Sequence, residues 1–254
     1  MLRYYKFPLA FLFIGSLLGV FLRLQFIAPT PGVNYAFFLH AHSHIMFLGW
    51  VFNLLYIGFV AQYIEKQDHS FFIKLFNVLQ VFLVGMLISF PLQGYGFYSI
   101  FFSTLHTIGA LVFIWKFLVK IKSVTAISVW YARIAMLFFA ISTAGPFLLG
   151  YLMSKGMAAT HWYNFSIYFY LHFQYNGFFL FGILSLFFNQ LDGKAIHFSL
   201  GKARSFGILL ATTCIPAYIL STLWENIHYY WGTSWFDPVL RIDPFCKVDQ
   251  GEFA

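Results

Sequence analysis

The chain has 254 residues, of which 61% are hydrophobic and only 9% charged, with a formal net charge of +7. Soluble domains are about half apolar and about a quarter charged, so this composition excludes a soluble globular domain and predicts an integral membrane protein embedded in a lipid bilayer. Net positive charge in a soluble protein would suggest nucleic acid, but here the basic residues fall mostly between the apolar runs, and no nucleic-acid partner is expected.

Apolar runs of about 20 residues recur along the whole chain, the length an α-helix needs to cross a bilayer; barrel strands would be about 10 residues long with alternating polarity. The expected fold is all-α, a polytopic bundle of seven transmembrane helices forming one domain over residues 1–224. The first span, 7–28, follows Arg3 and Lys6 like a signal peptide. However, its one candidate cleavage site, near Ala28, is followed by Pro29, and Arg23 interrupts the apolar run, so a retained helix is expected. Arg23 is expected to snorkel to the interface.

The second span, 37–63, opens with His40, His42 and His44. The third is 71–91, and the fourth, 97–118, carries His106 near its middle. The fifth is 129–153. The sixth, 164–189, has His161 at its mouth and His172 inside it, and the seventh, 203–224, has Cys214 near its middle. Pro91, Pro146 and Pro216 are candidate helix interruptions. Residues 225–254 read as a polar tail, or as the start of a longer chain. Tyr229, Tyr230, Trp231 and Trp235 suit a membrane interface, and Cys246 lies too far from Cys214 in this topology to pair with it.

Alternating the loops between two sides places Arg3, Lys6, Lys66, Lys74, Lys116, Lys120, Lys122, Arg133, Lys194, Lys202 and Arg204 on one side. Only Arg23, Lys155, Arg241 and Lys247 fall on the other. The positive-inside bias then predicts a cytoplasmic N-terminus and an outside C-terminus. On that topology the histidines of the second, fourth and sixth spans all lie in the outer half or near the centre.

Ionisable side chains are costly in lipid, so such a cluster is a functional-site hypothesis, and imidazole narrows it to metal or haem ligation or proton movement. His40 and His44 share a helix face and His42 points nearly opposite, while His161 and His172, eleven residues apart, share a face with Tyr168 between them and Asn176 one turn beyond. These two faces are expected to converge on one cofactor in the bundle core. The structural alternatives are wet interfacial positions for His40 and His42 and a helix–helix hydrogen bond for His106.

His40-x-x-x-His44 invites comparison with di-iron hydroxylases, but no further histidine box occurs. A zinc hydrolase lacks its His-Glu-x-x-His. A site built mainly of imidazoles in a dry bundle suits haem iron or copper.

Residues 40–50, His-Ala-His-Ser-His-Ile-Met-Phe-Leu-Gly-Trp, resemble the second-helix motif of haem-copper oxidase subunit I-like proteins. Residues 170–182, Tyr-Leu-His-Phe-Gln-Tyr-Asn-Gly-Phe-Phe-Leu-Phe-Gly, are similar to the sixth helix of the cbb3-type and nitric-oxide-reductase branch. The resemblance implies that His44 or His40 ligates haem b and that His172 sits at a copper-like position. It also implies membrane redox partner subunits and a place in the bacterial inner membrane. The seventh span lacks the adjacent copper histidines of that family, offering Ala211-Thr-Thr-Cys-Ile-Pro-Ala-Tyr218, and the chain has no tenth helix to supply further haem ligands. Oxygen reduction by this chain alone is therefore not expected.

The function expected is that of a haem-binding membrane redox protein, an oxidoreductase or electron carrier. Its cofactor-binding candidates are His40, His44, His106 and His172, and His42, His161 and His172 are the candidates for a separate metal. The rival readings are a histidine-lined transporter or proton-conducting bundle, and a haem or copper assembly factor.

Overall fold

The computed structural model describes residues 2–121, 127–157 and 160–222. The expected tail at 225–254, with its aromatic residues and Cys246, lies outside the described residues. Among these, helices account for nearly all the structure and there is no strand. Seven helices are long and apolar enough to cross a membrane: α1 (Arg3–Leu24), α2 (Tyr35–Tyr63), α3 (Lys66–Gln93), α4 (Phe97–Lys120), α5 (Ile127–Met153), α6 (His161–Gly193) and α7 (Leu200–Leu220).

The ends are set by local chemistry that hydropathy does not register. α1 stops at Leu24 although the apolar run continues, because Gln25 accepts from the Thr30 backbone N–H at 2.8 Å and donates to its hydroxyl at 3.2 Å, closing a turn ahead of Pro31. Asn34 starts α2 by accepting from the N–H groups of Ala36 and Phe37, satisfying donors that an uncapped helix leaves orphaned. α3 closes at Gly94, which has φ +58° and lies so close to Phe37 that a Cβ would collide with its ring. The Ser99 hydroxyl donates to the Gly94 carbonyl. This tight turn holds Tyr95 at the mouth of α2. Of the three candidate interruptions only Pro146 coincides with one. α5 breaks at Thr143, and α3 and α7 run through Pro91 and Pro216.

α2 and α6 form the centre. In their best spanning windows 67% and 56% of residues are buried, against 17% for α7, which is an edge helix. Several polar side chains in the core are paired across helices, as an apolar medium favours. Asn53 donates to Gln80 at 2.8 Å and Gln80 donates back at 3.3 Å, clamping α2 to α3. Tyr63 donates to the Ser185 carbonyl and Ser185 to the Ser128 carbonyl, tying α2, α6 and α5.

Candidate functional site

Two stretches of π-helix interrupt the central helices, and each begins immediately after a histidine: Ile45–Phe52 after His44, and Phe173–Phe179 after His172. A π turn re-aims the side chains around it and often marks a functional position. Both stretches place a glycine five residues after the histidine, Gly49 and Gly177, where a Cβ would collide with Phe11 and Phe138 respectively. They face one another at the bundle centre. Phe47 lies 4.7 Å from Tyr175 between ring centroids, and Phe52 lies 5.9 Å from Phe178.

The helical phase of the histidines follows the sequence. His42 turns to α1, where its Nδ1 donates to the Gly15 carbonyl at 2.9 Å. His40 and His44 turn the other way, toward the end of α3 and the turn that follows it. His44 lies 4.5 Å from the Phe90 ring in a stacked geometry, and His40 lies 4.5 Å from the Tyr95 ring. Among the described residues no hydrogen bond occupies the ring nitrogens of His40 or His44.

His106 enters this space from α4. It is only 1% exposed, its Nε2 has no partner among the described residues, and it meets Phe52 edge-on at 5.6 Å. An unpaired polar atom in a sealed interior costs about 1–3 kcal/mol, so the orphaned nitrogen asks for a ligand. The Ser89 hydroxyl, beside Phe90 on α3, is another buried polar group without a partner among the described residues.

Tyr95, Tyr170 and His44 are each half-buried. Burial pushes the Tyr95 phenol well above its ordinary value, with the nearby Tyr163 adding to the shift, so it stays a neutral donor.

His172 does not join this face. It turns to α7, where its Nε2 donates to the Cys214 carbonyl at 2.8 Å. Its Nδ1 accepts from Ser221 at 3.0 Å and from Asn176 at 3.2 Å. Both nitrogens are held by protein, and Cys214 Sγ lies 3.7 Å from Nε2. The Asn176 contact follows the expected one-turn spacing. His161 is exposed at the first residue of α6. The expected convergence of the α2 and α6 histidine faces is thus replaced by a meeting of α2 and α4, and His42, His161 and His172 are dispersed over three surroundings.

Among the described residues no three His, Cys, Asp or Glu side chains gather as a metal-ion site. A bare zinc or copper ion asks for three or four protein ligands. Haem iron is already held in its macrocycle and asks for fewer protein ligands, so two histidines such as His44 and His106, the latter with an unpartnered buried nitrogen, suit haem better than a bare ion. Phe90, Tyr95, Tyr170 and the π turns were not visible as site elements in the sequence. One signal was present: His-x-x-x-x-Gly-aromatic occurs at both 44–50 and 172–178.

Against known proteins the chain matches no family model, no curated protein and no solved structure. The resemblance to the haem-copper oxidase family therefore rests on its two motifs and the expected topology.

Proposed function

We propose that this chain is a haem-binding redox protein of the membrane, in which His44 of α2 and His106 of α4 would hold the haem iron. The observation that carries this reading is the buried, partnerless Nε2 of His106, whose ring packs on Phe52 of the π stretch that follows His44. Bound there, haem would supply reversible one-electron chemistry. Two imidazoles holding the iron would favour electron transfer over gas binding, which needs an open position. Phe90 and Phe52 exclude water and hold the rings, and His42 serves the packing of α1 on α2. The basic residues at the opposite end of the bundle support a cytoplasmic N-terminus, with the histidine end facing outward. The reading includes a place in the bacterial inner membrane and membrane redox partner subunits. Copper has less support, because the histidine that the resemblance assigns to it, His172, has both nitrogens occupied by protein.

His106→Ala, expressed with haem in supply, tests the pairing. The expected result is a shift from a six-coordinate to a high-spin, five-coordinate spectrum. A full six-coordinate spectrum in that variant would remove His106 from the site.

A further inference from the structure

The outer surface of the α3–α4 hairpin carries polar groups that neither the core nor the histidine end accounts for. Lys74 on α3 and Lys116 on α4 are equally far along the chain from Tyr95 in the connecting turn, so the hairpin brings them to one depth near the basic end of the bundle. The Lys116 ammonium lies 5.5 Å from the ring centroid of Phe71 on α3 and 4.6 Å from that of Trp115. Those rings are 40% and 60% exposed. Two cation–π contacts thus hold this ammonium across the hairpin at its surface. Lys74 shares the helix face of Phe71, and Asn77 follows about 4.5 Å deeper into the span; both are exposed.

Among the described residues neither lysine has a carboxylate partner and the Asn77 amide makes no hydrogen bond. Asp68, the carboxylate nearest to Lys74 along α3, is taken by Lys120 at 3.0 Å. An amide turned to hydrocarbon with nothing to bond is costly. Two cations with an amide beneath them, opening on an apolar surface, match a ligand with a negatively charged, oxygen-rich head and an apolar tail.

We propose that Lys74, Lys116 and Asn77 bind the headgroup of an anionic phospholipid. The two ammonium groups take the phosphate, the Asn77 amide donates to its ester oxygens, and the acyl chains run along the exposed Val78 and Val81 of α3 and Ile108 of α4. Because Phe71 and Trp115 already hold Lys116, little side-chain freedom is lost on binding. The site is independent of haem, lying outside the hairpin at the end remote from His40 and His44.

The full chain is reconstituted in vesicles of one fixed mixture of phosphatidylcholine and phosphatidylglycerol, with bromine on the acyl chains of one lipid or of the other. Quenching of Trp115 is read as the difference between each protein and its Trp115→Phe counterpart. A lysine at an anionic membrane surface contributes about fivefold. Two are therefore expected to give phosphatidylglycerol an association constant beside Trp115 about tenfold or more above that of phosphatidylcholine, a preference that falls as salt is raised. Lys74→Gln/Lys116→Gln is expected to lose most of it. Lys194→Gln/Lys202→Gln, which removes the same charge elsewhere at the same end, is expected to keep it, with circular dichroism confirming normal helicity in both. Equal quenching by the two brominated lipids in wild type overturns the inference, and is the result expected of a face built for an acidic protein partner. Equal losses in the two double variants overturn it as well, because a diffuse positive potential would then be drawing the lipid. A wild-type preference insensitive to salt also overturns it, whatever the variants do.

Discussion

The imidazole of His44 lies almost flat on the ring of Phe90, with centroids 4.5 Å apart and planes 14° from parallel. Phe90 is fully buried and sits next to Ser89, one turn before the Gly94 turn. This contact fixes the plane of a ring that no hydrogen bond holds. Phe90→Ala is expected to cost about 3–5 kcal/mol of stability, the usual penalty for emptying a buried aromatic position. It should also broaden the ligand-field signature of the bound iron, because His44 can then rotate. Thermal unfolding in detergent together with low-temperature electron paramagnetic resonance checks both effects. An unchanged resonance line in a destabilised variant would show that Phe90 only fills space.

His42 provides the matching control. It shares the motif with His40 and His44 but donates to Gly15 on α1. His42→Ala should leave the cofactor spectrum intact and lower stability by about 0.6 kcal/mol, the average for a helix–helix hydrogen bond in a membrane. Loss of the spectrum equal to that in His44→Ala would place His42 in the site and refute the assignment of faces.

His172 separates a structural histidine from a ligand. His172→Ala leaves Asn176, Ser221 and the Cys214 carbonyl without their shared partner and is expected to cost about 1–3 kcal/mol. The loss should appear first as protease sensitivity of α7, the least buried helix. Haem content should stay at the wild-type level. A variant with native α7 protection and no haem would make His172 a ligand after all.

Seven helices could be read from the sequence because each span carries its own length and hydropathy, and the opposite facing of His42 to His40 and His44 followed from helical phase alone. The sequence left the partner of His44 open between His106 and His172, because whether two faces meet depends on which helices are neighbours, and that is decided by long-range contacts such as Asn53 with Gln80. Phase arguments also assume 3.6 residues per turn, and the π turns after His44 and His172 break that assumption at the positions that matter most. The end of α1 was misplaced for a simpler reason: hydropathy sees Phe26, Ile27 and Ala28 as more membrane, while the Gln25–Thr30 hydrogen bonds turn the chain.

The most direct test of the central claim is the absorption spectrum of the detergent-purified chain, oxidised and dithionite-reduced, with iron and copper measured on the same sample. The account predicts a Soret band, sharp reduced α and β bands of a six-coordinate b-type haem, and about one iron per chain. A colourless, iron-free chain from haem-replete cells would contradict it.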